Sequence, residues 1–207
     1  NVGITGRNEE HLKSTVAELE KLGVKAAYSV FDVEEMAQVE QGVASIASQL
    51  GSIDILINNA GVGDFGSFEE MPVETWEKVM KVNLFGVYYV AKAALPYLKQ
   101  NKEGDIVNVA STAGLKGAPN MSAYCASKAA VISLSQSLMA ELRKFNIRVI
   151  TLTPSTIATD MSIEGKLTDG NPEKVLQPED FAEWVRDILK MNRRAMIASA
   201  SIFSTNP

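Results

Sequence analysis

A chain of 207 residues, 46% of them apolar, can bury one sizeable core as a single domain. Its net charge of −5, spread along the chain, gives no footprint for nucleic acid or an anionic membrane surface, and its longest apolar stretch, GVYYVAKAALPYL, carries Lys92 and Pro96 and falls short of the ~20 residues a bilayer span needs. One cysteine, Cys125, and one histidine, His11 in a polar stretch, leave no disulfide framework, Ser/His couple or metal cluster, so the chemistry must use other groups; the expected setting is reducing and cytoplasmic, with no signal-peptide pattern at the start.

Strand-like and helix-like segments alternate. NVGIT is short, apolar and partly β-branched. Leu12, Val16, Leu19 and Leu22 then recur at helical spacing, with Asn8 as N-cap and Gly23 just past the end. VKAAYSVF reads as a second strand. Met36, Val39, Val43, Ile46 and Leu50 form the next apolar stripe, closed by Gly51. IDILI is a nearly continuous apolar run, as expected of a strand covered on both faces.

A long helix is predicted from Pro72 to Gln100, with a break near Asn83. DIVNVAS is a fourth strand, Met121 to Phe145 a helix, and IRVITLTP a fifth strand. Residues 155–178 mix Gly and Pro breakers with polar residues and read as a mobile excursion, in which Met161, Ile163 and Leu167 are candidates to line an apolar entry. A helix over Pro178–Lys190 and a strand in AMIASASIF follow. Strands alternating with helices of ten residues or more predict an α/β, Rossmann-like doubly wound parallel sheet with helices on both faces, in one domain, 1–207.

Three stretches carry residue types suited to chemistry. NNAG, Asn58–Gly61, closes the IDILI strand. Ligands in such sheets bind beyond the carboxyl ends of strands, so these residues form either an ordinary turn or one built against a ligand. YCASK sets Tyr124 and Lys128 four residues apart, on one face of a helix. A free phenol titrates near pH ~10. An ammonium about 4 Å away, at an effective dielectric near ~20, favours the phenolate by roughly 4 kcal/mol. That is about three pKa units, enough to bring the phenol near neutrality. Ser111 ends a strand thirteen residues before Tyr124, where its hydroxyl can donate to the same carbonyl oxygen as the phenol. Taken singly, the tyrosine and lysine read more simply as a packed ring beside a solvated amine, and the serine as a strand terminus.

Taken together and in this order, the three stretches resemble the short-chain dehydrogenase/reductase family, and within it the 3-oxoacyl-[acyl-carrier-protein] reductase-like members. DV at Asp32–Val33, VNLFG at Asn83–Gly86, GDIVNVAS at Gly104–Ser111 and TPSTIATDM at Thr153–Met161 extend the resemblance along the chain. It implies that Tyr124 is the general acid, that Lys128 lowers the Tyr124 pKa and holds the nicotinamide ribose, and that Ser111 donates to the substrate oxygen. It further implies that Asn83 holds a water of a proton relay. Asn58, Asn59, Ala60 and Gly61 would pack along the cofactor, Asp32 and Val33 would hold the adenine, and Pro154, Ile157 and Thr159 would lie at the nicotinamide. The implied activity is hydride transfer to a carbonyl, first a 3-oxoacyl thioester that is free or carrier-bound, otherwise a small ketone, sugar or alcohol. The implied assembly is a homodimer or homotetramer. Ser155 stands where the family usually has glycine.

Within this alignment NVGIT is the family's second strand. Its end, where an NAD(H) user has an acidic residue for the ribose hydroxyls, is Gly6 followed by Arg7. A small neutral residue and a guanidinium suit a 2′-phosphate, so NADP(H) is expected rather than NAD(H). The family's first strand and glycine-rich loop have no counterpart in the sequence. The strands at 1–6 and 53–57 are therefore expected to lack a neighbour between them. Three readings compete: residues ahead of Asn1 in the natural protein, a different or strand-swapped fold, or a cofactor-free binding or assembly module.

Overall fold

The computed structural model describes residues 1–205. The last two residues of the expected domain lie outside that range.

Every strand pairs in parallel. β1 (Val2–Gly6) pairs with β2 (Ala26–Val30), and β3 (Ile55–Asn58), β4 (Gly104–Val109), β5 (Ile147–Pro154) and β6 (Ser199–Ile202) follow one another in a second sheet. Between them run α1 (Glu9–Lys21), α2 (Met36–Leu50), α3 (Val73–Met80), α4 (Gly86–Gln100), α5 (Ser122–Leu142), α6 (Asp160–Glu164) and α7 (Pro178–Lys190). This is the predicted Rossmann-like α/β architecture.

Local sequence explains most boundaries. The Asn8 side chain accepts from His11 N and caps α1, a contact worth about 1 kcal/mol. Gly51 ends α2 in the left-handed conformation, φ 93°, which a side chain would strain. The expected break at Asn83 is a π-helical turn, Lys81–Phe85, between α3 and α4. Residues 155–178 contain α6, whose start is held by a reciprocal capping box of Thr159 and Ser162, and Ile157 bridges to Leu176.

Alternation along β4 and β5 assigns the faces. Ile106, Ile147 and Val149 pack with Val39 and Val43 of α2, Ala94 and Leu98 of α4, and Leu142 of α5. Val107, Ile150 and Leu152 pack with Val185 and Ile188 of α7. In β1, Gly3 lies against Ile46 of α2 and Gly6 against Leu12 of α1. Helices thus cover both faces.

The sheet is interrupted, as the lone strands at 1–6 and 53–57 predicted. β1 and β3 are not hydrogen-bonded to each other but face across a cleft of about 760 Å³, lined by Val2, Ile4, Ile46, Ile55 and Ile57 among others. One expectation fails here. IDILI is not covered on both faces, since Ile55 and Ile57 are each 46% exposed, because the edge of β3 opens onto the cleft. β5 is the strand buried at every position. Among the described residues, no helix is long and apolar enough to cross a membrane.

At the amino ends of β4 and β5 lies a buried ion pair. Arg148 Nε donates to Asp105 Oδ1 at 2.6 Å and its Nη2 to Oδ2 at 2.9 Å. Its remaining donors reach Leu189 O, Met191 O and Ala195 O, fastening the end of α7 to the sheet. Removing one partner strands a buried charge. Asp105→Asn is therefore expected to destabilise the fold by about 3–5 kcal/mol, read as a lower urea midpoint. A loss below about 1 kcal/mol would show that the pair is dispensable.

Candidate active site

Tyr124 lies in the first turn of α5, and Lys128 follows one turn later. Ser111 closes β4 and caps a short 3-10 turn, Thr112–Gly114, its Oγ accepting from Ala113 N at 3.1 Å. Gly114 sets how near this turn comes to α5. A Cβ there would lie 2.7 Å from the Lys128 carbonyl carbon and 2.9 Å from Ala129 N, so only glycine permits the approach.

Lys128 is 5% exposed. Its Nζ donates to Val109 O at 2.9 Å and stands 5.7 Å from the centroid of the Tyr124 ring. Burial lowers its pKa from 10.5 to about 8. Tyr124 moves the other way: burial holds the phenol above its ordinary value, and the Ser111 hydroxyl only partly offsets this. The expectation that Lys128 depresses the phenol by three units is thereby corrected. The amine donates to Val109 O and stands over the Tyr124 ring, and desolvation is the largest influence on the phenol.

Asn83, fully buried in the π turn, is committed on every side-chain atom. Its Oδ1 accepts from Val62 N at 2.8 Å, and its Nδ2 donates to Val62 O at 2.9 Å and Ser127 Oγ at 3.0 Å. A relay water at this residue would thus have to use its backbone. Of the NNAG turn, only Gly61 reaches the centre: a Cβ there would lie 3.3 Å from Asn83 Oδ1 and 3.5 Å from Lys128 Nζ. Asn59 and Ala60 are exposed. Asn58, Asn59 and Ala60 line the cleft between β1 and β3, and the Asn58 amide is also spent on the fold. It is buried and donates to Asn108 Oδ1 at 2.8 Å, whose amide donates to Ser135 Oγ at 2.9 Å, a link from β3 through β4 to α5.

Arg7, 63% exposed, pairs loosely with Asp32 at 3.7 Å. Val33 packs against Gly86 at the start of α4. Pro154 is buried at the end of β5. Ile157 lies in the bridge to Leu176, and the Thr159 backbone N–H is spent on Ser162 Oγ at 3.0 Å. A cavity of about 580 Å³ opens among Gly61, Val62, Gly63, Phe65, Met161 and Lys166. Of the three apolar residues expected at an entry, only Met161 lines it; Ile163 and Leu167 are 45% and 42% exposed. Phe65 meets the Tyr124 ring edge-on, centroids 5.7 Å apart.

Sequence reading missed Ser127, Asn108, Ser135 and Phe65. The one available signal was Asn108 itself, an amide inside an apolar strand that needs a partner somewhere. A dinucleotide fits what is present. The Lys128 ammonium has three donors and one protein acceptor, leaving donors for oxygens such as ribose hydroxyls, and the Arg7 guanidinium stands open to an anion.

A family model described as short chain dehydrogenase matches residues 1–169. The chain is 36% identical over 188 residues to the inactive 2-(S)-hydroxypropyl-CoM dehydrogenase 2 of Xanthobacter autotrophicus, covering 84% of this chain and 81% of that protein. It is 37% identical over 167 residues to the 3-oxoacyl-[acyl-carrier-protein] reductase FabG of Thermotoga maritima, covering 81% of this chain and 65% of the reductase, just under two thirds of it. The fold superimposes on a single-site variant of the actinorhodin polyketide ketoreductase with NADPH at a TM-score of 0.89, with 29% identity, 98% of this chain and 86% of that one covered.

The buried amine has a measurable cost. Between about pH 8 and 10.5 the unfolded chain binds the Lys128 proton and the folded chain does not, so this group makes stability rise with pH across that window. Below it, both states hold the proton and the penalty is constant at about 3 kcal/mol. Lys128→Met should therefore stabilise the protein at pH 7 by up to about 3 kcal/mol, and the gain should fade toward pH 10.5. Urea melts at pH 7 and pH 10 measure it; a pH-independent difference would contradict the assignment.

Proposed function

The chain belongs to the short-chain dehydrogenase/reductase family of oxidoreductases, and from that premise we propose that it is an NADP(H)-dependent carbonyl reductase acting through Ser111, Tyr124 and Lys128. The observation that carries this reading is the buried Lys128 ammonium, held by a single carbonyl, one helical turn from a buried phenol with a serine hydroxyl opposite. When bound, the nicotinamide supplies the hydride that adds to the carbonyl carbon.

The protein's part is to bind, orient and protonate. Ser111 donates a hydrogen bond to the carbonyl oxygen, and Tyr124 gives that oxygen its phenolic proton as negative charge develops there. A phenol kept above its ordinary pKa stays protonated until that moment. Lys128 would turn its remaining donors to the ribose hydroxyls, its positive charge favouring the phenolate that proton donation leaves. The phenolate recovers a proton through a water at the Asn83 backbone. Arg7 would take the 2′-phosphate in exchange for its loose pair with Asp32. Asp32 and Val33 would hold the adenine, and Ile157 and Thr159 the carboxamide end.

For substrate we propose a 3-oxoacyl thioester, free or carrier-bound, admitted beside Phe65 and Met161. The similarity to a 3-oxoacyl-[acyl-carrier-protein] reductase supports it; a small ketone, sugar or alcohol is the alternative. Pairing of copies through the π turn and α4, where Phe85 and Tyr88 are 45% and 42% exposed, would give a dimer or tetramer. The proposed setting is cytoplasmic. A second reading, a non-catalytic member that binds without turning over, draws on a relative named inactive.

NADPH oxidation with an acetoacetyl thioester separates the two readings. Tyr124→Phe should lower kcat by roughly 10²–10⁴-fold; equal rates would remove the proposed mechanism. Arg7→Ala should raise the KM for NADPH about tenfold or more, with little change for NADH, from loss of one charge-assisted contact.

A further inference from the structure

Ser127 stands between the two catalytic positions on α5 and is fully buried. Its hydroxyl donates to Tyr124 O at 2.8 Å and accepts from Asn83 Nδ2 at 3.0 Å. Asn83 in turn clamps both backbone groups of Val62, next to Gly61. One unbroken polar chain thus runs from the loop after β3, through the π turn, to the backbone of Tyr124 itself.

We propose that Ser127 is a positioning residue that fixes the first turn of α5, and with it the Tyr124 phenol, against the π turn at Asn83. The proposal rests on the catalytic reading of Tyr124 above, but its geometry does not. A hydroxyl supplies one donor and accepts as well, and both directions are used. Asn83 has no spare side-chain atom to replace it, and water has no access to a site of zero exposure. Serine hydroxyls that bond back along a helix also bend its local path, here in the turn that aims the phenol. The ionisable groups near that phenol are Cys125 and Lys128, on its own helix; across from it stand the Ser111 hydroxyl and the Phe65 ring.

The test is phenol ionisation in the protein without cofactor or substrate, read by ultraviolet difference absorbance. The Tyr124 signal is obtained by subtracting the Tyr124→Phe variant, in the wild-type and in the Ser127→Ala background. A first turn released from Asn83 admits water, so the phenol midpoint should fall toward its ordinary value by about half a pH unit or more, from loss of an interaction of the size of one hydrogen bond. In turnover, kcat should drop about 3–10-fold with the substrate KM nearly unchanged. Ser127→Cys, which keeps a weak donor in similar volume, should lie between, and it carries the same readings if the alanine variant does not fold. Wild-type midpoints and kcat in whichever variants fold would overturn the proposal. The ionisation arm needs no turnover, so it stands even if the protein proves not to be a reductase.

Discussion

A lysine ammonium held inside the protein by one backbone carbonyl is the constraint around which this site is organised. Such a charge is unfavourable to bury, and the fold accepts it because Val109 O takes one donor while the helix places the remainder toward Gly61. The same burial that lowers the amine raises the phenol beside it. Both groups are thus kept nearer their neutral forms, and neither is an ordinary surface residue. Stability has been given up at one position for a chemical environment, the balance expected where binding needs groups that water would otherwise satisfy.

Polar links hold that environment in place. Asn58, Asn108 and Ser135 join β3, β4 and α5 across the interior, while Asn83 and Ser127 join the loop after β3 to the start of α5. Each amide and hydroxyl in the two chains is partnered, which is what makes buried polar groups tolerable and directional. Tyr124 is tied in this way through its backbone carbonyl, and Gly61 through the neighbouring Val62. Gly114 completes the arrangement from the other side by letting the Ser111 turn lie on the backbone of α5.

The cleft between β1 and β3 divides the sheet but not the candidate centre. Tyr124, Lys128, Ser111 and Asn83 are all carried by elements packed on the β3–β6 sheet, whereas Arg7 and Asp32 belong to the β1–β2 pair. The cofactor-binding residues expected at the adenine end and those at the reacting end thus stand on opposite banks. Alternating apolar residues across β4 and β5, fastened below by Asp105 and Arg148, pack the bank that carries Tyr124 and Lys128, and Val39 and Val43 of α2 join the same cluster.

Much was legible in the order of residues. Apolar period and breaker residues gave the alternation of strands and helices, the cap at Asn8, the stop at Gly51 and the irregular turn at Asn83, because these depend on neighbours within a few positions. The spacing from Ser111 to Tyr124 to Lys128 marked the candidate chemistry for the same reason. Local spacing was silent about partners far along the chain: Asn58 and Asn108 stand 50 positions apart, and Asn83 and Ser127 stand 44 apart. It was misleading about the phenol, since a pair charge was reckoned while the desolvation of both groups was not. Sequence by itself determined the elements and the residue types brought to the site. Tertiary structure alone decided which amides are spent on the fold, how deep the amine lies and which way its donors face, because burial and long-range hydrogen bonding are properties of the packed chain and not of any short segment.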